Sequence, residues 1–304
     1  MNTTFRQLRI LLALADHKSI TAAARACHVT QPTVSMQIKA LADEVGMPLH
    51  EQIGKKLHLT EAGEALVETA RAMEAEWSAF EQRIDAMKGL TRGRLRIAVV
   101  STAKYFVPGL LGRFCATHPE IEISLEVLNR DGVVARLKEN RDDLYIMSMP
   151  PQDIDLETHA FLPNPLVVIA PQGHRHAGKR GLLLSDLADE RFIMREQGSG
   201  TRLQCDAHFA SQGFVPTVRL ELGSNEAIKQ SVATGMGLAV ISRHALARHM
   251  EDDEIVLLDV TSFPVLSNWW TLYPRGKRLS PVAAVFLEHI ERTAHDWFQQ
   301  RQPS

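Results

Sequence analysis

Apolar residues recur every three or four positions through Phe5, Leu8, Leu11, Leu12 and Ala15, which predicts a helix over 4–16 with one buried face. Ser19 offers a side-chain oxygen as N-cap to a second, short helix, ITAAARAC, whose small Ala23 and Ala24 allow close helix contact. His28 and Val29 interrupt it, and His is one of the residues enriched at positive φ. Thr30 can cap a third helix, with Pro32 tolerated in its first turn. Two short helices joined by a tight turn describe a helix-turn-helix.

On the third helix Val34, Ile38, Leu41 and Val45 fall within one arc and face a core. The opposite arc carries Pro32, Met36 and Lys39, flanked by Thr33 and Ser35, with Thr30 and Gln31 at the exposed first turn. Short donors and acceptors with a single charge suit base edges: Gln can bond adenine twice, Thr and Ser adapt, and a methyl can touch thymine. An ordinary solvated helix face would carry similar residues. Two extended pieces around Gly54 then predict a hairpin wing with Lys55 and Lys56 at its tip, placed to touch phosphates without reading sequence.

After Thr60, Leu66, Ala70, Met73, Trp77, Phe80, Ile84 and Met87 alternate at spacings of four and three, the a/d seam of a zipper. At 1.5 Å per residue the helix spans about 40 Å, and so narrow a stripe fits a partner helix better than a globular core. A dimer would set two third helices in successive major grooves and prefer a dyad-symmetric operator in double-stranded DNA. The polar KGLTRG stretch from Lys88 to Gly93 reads as a hinge.

Beyond the hinge the pattern alternates between strands and helices. RLRIAVV, a helix after Ser101, IEISLEVL, GVVARLKEN and DLYIM form a βαβαβ series, hence a mostly parallel sheet. LVVIA, GTRLQCDAHFASQG, TVRLELG, SNEAIKQSVATG and GLAVI repeat the scheme; WWTLY and a last helix from about Pro281 follow. The fold class is multidomain. An all-α winged helix-turn-helix (1–60) leads into a coiled-coil linker helix with hinge (61–92). An α/β two-lobed domain follows (93–304), with lobe I over 93–162 and 267–304 and lobe II over 163–266. Strands crossing near Leu162 and Ser267 leave a cleft between the lobes.

Ligands of open α/β sheets sit at the carboxyl ends of strands. Those ends carry Ser101, Thr102, Asn129, Arg130 and Ser148 in lobe I, and Thr201, Arg202 and Asn225 at helix starts in lobe II. Three helix N-termini with Lys104, Arg130 and Arg202 fit a small anionic metabolite. Singly, each Ser, Thr or Asn reads as well as a helix cap.

Composition narrows the field. Of 304 residues 45% are hydrophobic, and 34 Lys and Arg against 36 Asp and Glu give a net charge of −2, which excludes a basic chromatin-type protein and a wholly disordered chain. Cys27, Cys115 and Cys205 are too few and too scattered for a disulfide framework or zinc site. Apolar runs fall short of the ~20 residues of a membrane span. A cytoplasmic, membrane-free protein with no metal and no cofactor is expected.

SITAAARACHVTQPTVSMQIKALADEVGMPLHEQIGKKLHLTEAG resembles the winged helix-turn-helix of LysR-type transcriptional regulators. The wing departs from that pattern, with His50 for an aromatic and Gln52 for an Arg. SVATGMGLAVISRHAL is similar to a segment of that family's effector-binding domain, itself like periplasmic solute-binding proteins. STAKYFVPGLLGRFCATHPEIEISLEVLNR and KENRDDLYIM look most like the CbbR subgroup, which controls Calvin-cycle operons. The resemblance implies a phosphorylated or related anion as effector, self-association to a dimer or tetramer, contact with RNA polymerase and no enzymatic activity.

Rival readings have thinner support. Ser101-Thr-Ala-Lys104 is an S-x-x-K of acyl-enzyme type, but no S-D-N or K-T-G follows. Gly198-x-Gly200 and Gly235-x-Gly237 lack the third glycine of a dinucleotide loop. His174-Arg175-His176 has no carboxylate beside it in sequence and reads as an exposed loop; Cys205 reads as a small core residue. A transport-type solute-binding protein would need a signal peptide and no DNA-binding head.

Overall fold

The structure is a computed structural model, which describes residues 3–54, 56–87, 93–246 and 254–299. Lys55 and the greater part of the expected hinge, 88–92, lie outside them. The chain divides into two compact units, the first comprising Met1–Glu81 and Glu139–Arg141, the second Gln82–Lys138 and Asp142–Ser304.

In the first unit, α1 (Phe5–His17) starts on a capping box between Thr4 and Gln7. Ser19 caps α2 (Ile20–Ala26), and Thr30 caps α3 (Gln31–Val45), which has Pro in its first turn. His28 takes φ 54°, the left-handed turn that separates α2 from α3. Leu8, Leu11, Ala23, Val34, Ile38 and Leu41 close one apolar core. The wing is a two-stranded antiparallel hairpin of β1 (His50–Ile53) and β2 (Lys56–Leu59).

Next, α4 (Glu61–Met87) begins where the Thr60 hydroxyl accepts from Gly63 N and donates to the Pro48 carbonyl. A Cβ at Gly63 would sit 1.9 Å from the Leu49 carbonyl oxygen, so the start of α4 lies directly on the backbone that opens the wing. Val67 and Ala70 join the head core. Further along, Met73, Trp77 and Phe80 are 43, 45 and 44% exposed. Phe5 packs on Trp77 and Trp77 on Phe80, with ring centroids 5.4 and 5.5 Å apart.

The second unit holds two five-stranded sheets. In the first are β3 (Gly93–Val100), β4 (Ile121–Leu128), β5 (Leu144–Met147), β6 (Leu156–Pro163) and, from much later in the chain, β12 (Asn268–Pro274), in the order β4-β3-β5-β12-β6. The second comprises β7 (Leu166–Pro171), β8 (Arg191–Arg195), β9 (Thr217–Leu222), β10 (Leu238–Ser242) and β11 (Ile255–Leu258), in the order β11-β7-β10-β8-β9. β3 is parallel to β4 and β5, and β8 to β9 and β10; β12 and β7 alone run against both neighbours. Each lobe is thus mostly parallel with one reversed strand, and β6 and β11 complete it beyond the strands the sequence pattern separated.

Lobe I packs α5 (Val107–Thr117), α6 (Arg130–Lys138) and α9 (Pro281–Gln299) on its sheet; lobe II packs α7 (Gly200–Ser211) and α8 (Asn225–Ala233). The crossovers meet at buried Asn164, whose amide donates to the Ser267 hydroxyl (3.2 Å) and whose side-chain oxygen accepts from Ser242 (2.6 Å).

Two expectations need correcting. Ser101 and Thr102 do not open α5; they start a separate 3-10 turn, Ser101–Tyr105, with no side-chain cap. The His174–His176 loop is exposed only in part: Arg175 is exposed, but His176 is buried, and Glu190, distant in sequence, bonds Arg175 at 2.7 Å and pairs with His174 at 3.3 Å. Among the described residues no three His, Cys, Asp or Glu are arranged to hold a metal, and no helix is long and apolar enough to cross a membrane.

Candidate functional site

On the head, Val34, Ile38 and Leu41 are buried and Thr30, Gln31, Pro32, Ser35, Met36 and Lys39 are exposed, with Thr33 half-buried. The amphipathic spacing therefore orients α3 as expected. Gln31 and Thr33 already have local partners: the Gln31 amide donates to the Thr21 hydroxyl (2.5 Å), and the Thr33 and Thr30 hydroxyls share a bond of 2.8 Å. Lys56 stands in β2 beside the hairpin turn.

In the second unit a narrow cleft of about 20 Å³ lies between the lobes. The ends of β3 and β5 bring Val100, Ser101, Thr102, Met147, Ser148 and Met149 to it, and the start of α6 brings Arg130. From lobe II come Arg195 at the end of β8 and Ser199, Gly200 and Thr201 at the start of α7. Trp269, at the start of β12, completes the wall. Of the sequence-predicted residues, Ser101, Thr102, Arg130, Ser148 and Thr201 line this cleft.

The other four predicted residues do not line it. Asn129 caps α6 by accepting from Gly132 N (2.9 Å). Arg202 turns to Asp206 and Glu221, both at 2.9 Å. Lys104 pairs with Glu226 of lobe II at 2.9 Å, where Tyr105 also donates to the carboxylate. Burial pushes the Glu226 carboxyl up, but the Tyr105 and Lys104 contacts outweigh it and hold it at about 2. Asn225 sits one layer behind the wall, buried against Thr102 and Arg195.

Arg195 organises this wall, and the strand-end rule applied to RFIMR would have found it. Its side chain is 3% exposed. A guanidinium carries five N–H donors. Arg195 aims its nitrogens at both Glu196 oxygens (2.7 and 2.9 Å), Ser101 Oγ (3.2 Å), Thr102 Oγ1 (3.3 Å) and Asn225 Oδ1 (3.1 Å). Thr102 Oγ1 accepts a second bond from the Asn225 amide at 3.1 Å. With their oxygens committed as acceptors beside a cation, the Ser101 and Thr102 hydroxyls keep their protons to donate. Across the cleft Ser199 Oγ accepts from Arg202 N as the N-cap of α7. The free first-turn N–H groups of that helix carry partial positive charge. The chemistry of the lining therefore favours an acceptor-rich anion.

The lobes approach closely here: a Cβ on Gly200 would lie 3.0 Å from Ser148 Oγ. Cys205, behind the cleft wall on α7, is buried in the lobe II core as expected, and burial pushes its thiol up.

Residues 5–64 match the bacterial regulatory helix-turn-helix protein, lysR family, and residues 88–294 match the LysR substrate binding domain. The chain belongs to the LysR family of transcriptional regulators. Its relatives are regulators, not enzymes. This LysR regulator is 43% identical over 290 residues to the RuBisCO operon transcriptional regulator of Allochromatium vinosum, spanning 95% of this chain and 96% of the relative. It is 41% identical to the transcriptional activator CmpR of Synechocystis, over 97% of this chain and 96% of that one. Among solved structures, the CcmR regulatory domain of Synechocystis in complex with 2-PG is 48% identical, covering 66% of this chain and 96% of that chain with a TM-score of 0.64. Full-length CbnR complexed with its target DNA shares the fold at 23% identity, with a TM-score of 0.67 over 96% of this chain and 100% of that one.

Proposed function

We propose that this LysR regulator controls carbon-fixation genes in the cytoplasm, binding a dyad-symmetric operator through paired heads and sensing a small phosphorylated carboxylate in the cleft. Three working pieces divide the labour: a DNA-reading head (1–60), a dimerising helix with hinge (61–92) and an effector domain (93–304). The exposed faces of Met73, Trp77 and Phe80 support the pairing. The CmpR and RuBisCO-operon relatives support the target genes.

One observation carries the effector reading: Arg195 turns Ser101 and Thr102 into committed hydroxyl donors. Two compounds fit the abbreviation 2-PG, 2-phosphoglycolate and 2-phosphoglycerate. Both hold a phosphate on the carbon next to a carboxylate, so each presents acceptors at two ends. Arg130 of lobe I and the α7 start of lobe II line the same cleft and can take the second end.

Binding reaches DNA by closing the lobes, changing the angle between two dimers of a tetramer and thus the bend that RNA polymerase meets. A ligand drives this only through its differential affinity for the two arrangements. The test is a footprint and bend assay on the DNA flanking the gene, with each 2-PG candidate. A footprint that shortens and a bend that relaxes at saturating anion is the expected result. Unchanged length and angle would sink the coupling.

A further inference from the structure

Trp269 stands at the start of β12, opposite Leu162 of β6, with an irregular register step between Trp269 and Trp270. Because β12 runs antiparallel to β5, its first residues lie at the carboxyl end of β5, where the cleft opens. The Trp269 ring packs on Phe106 (centroids 4.9 Å, tilted 60°) and meets His244 edge-on at 6.2 Å. The residue is 1% exposed and lines the cleft, yet its indole Nε1 is buried without a hydrogen-bond partner.

An indole N–H can only donate. Leaving it unpaired in a buried site costs about 1–3 kcal/mol, a larger penalty than a phenylalanine would incur in the same aromatic stack. Several polar groups of the lining are donors, the Arg130 guanidinium and the first turn of α7 among them, and the Ser101 and Thr102 oxygens already accept from Arg195. No described protein atom accepts from the indole N–H, so an acceptor carried by a molecule bound in the cleft would satisfy it.

We propose that Trp269 is a specificity-determining residue of the effector cleft, whose indole N–H donates to an oxygen of the bound anion and selects ligands that place an acceptor against β12. This rests on the anion reading given above. It adds a contact that the seryl and threonyl donors cannot supply, from a rigid ring held by Phe106 rather than a rotatable hydroxyl.

The test measures 2-phosphoglycolate and 2-phosphoglycerate binding to the full-length protein by calorimetry, for the wild type, W269F and R195M. Trp269→Phe keeps the aromatic stack and removes the donor, so its unliganded melting temperature stays level or rises while affinity falls about tenfold. R195M loses affinity as well, through the hydroxyls it no longer orients. If W269F binds within twofold of the wild type while R195M does not, Trp269 has no such role and the anion reading stands. If the wild type binds neither anion, both fall.

A second readout needs no substitution at 269. In a W77F/W270F/W297F chain one indole N–H remains, and its proton resonance moves downfield and exchanges more slowly with solvent as 2-phosphoglycolate saturates the site. A resonance that stays in place at saturation overturns the proposal.

Discussion

Gln31, proposed to read a base, is already engaged, its amide on Thr21 across the helix-turn-helix. Reading a base therefore exchanges one hydrogen bond for another, and the gain comes only where the base edge supplies a bidentate match. Gln31→Ala is expected to weaken operator binding by about 1–3 kcal/mol and random-DNA binding little. Lys55→Ala should weaken both alike and lower the salt slope. Competition binding on operator and random duplexes at several salt concentrations checks the pair; equal losses on both DNAs for both variants would refute the roles. The outward face of α3 was legible because a periodicity of 3.6 sorts buried from exposed positions without tertiary knowledge. Arg195 and Trp269 were harder to read. Strand alternation says which residues are inside, but not that a buried arginine spends its donors on hydroxyls from another lobe. Lys104 misled for the same reason, since its carboxylate partner Glu226 lies far off in sequence; Arg202 pairs with distant Glu221 and also with Asp206, four residues along its own helix.

At the scale of elements, α4 serves two surfaces along one length. Its first turns are pressed onto the wing, where Gly63 clears the Leu49 carbonyl, and this gives the L-T-E-A-G motif a physical reason. Gly63→Ala forces the helix off that backbone and should destabilise the head by about 1–3 kcal/mol or more, seen as a lower head melting transition. A variant that melts like the wild type would show that the helix start can shift freely. The later turns leave Met73, Trp77 and Phe80 exposed. Trp77→Glu places a charge in that seam, so sedimentation should show a smaller assembly with the effector domain still folded. The heptad spacing announced this face from Met73 on, whereas Leu66 and Ala70, expected in the same seam, pack into the head core.

For the whole effector unit, acid is the telling variable. Burial is the first cause holding His176, His208, His244 and His289 below the usual imidazole range. In the unfolded chain each takes a proton near pH 6.5. Below that point the unfolded state binds protons that the folded state refuses, so stability is full above about pH 6.5 and falls as the pH drops. Glu226 extends the same slope between its ordinary value and about 2. Melting temperature followed from pH 8 to 4 should be flat and then decline; a curve that rises on acidification would contradict the buried, neutral imidazoles. The two-lobed plan itself was legible from the repeated strand–helix series. The pairing order was not, because β12 reaches its place only through long-range contacts.

That placement has a consequence for synthesis. β12 separates β5 from β6 and bonds both, although it lies about a hundred residues later than β6. The strands of the other lobe all fall between Leu166 and Leu258. As the chain leaves the ribosome, the later-encoded lobe can therefore finish first. The earlier one must wait, two strand edges bare, for Asn268–Pro274 to emerge and close the gap.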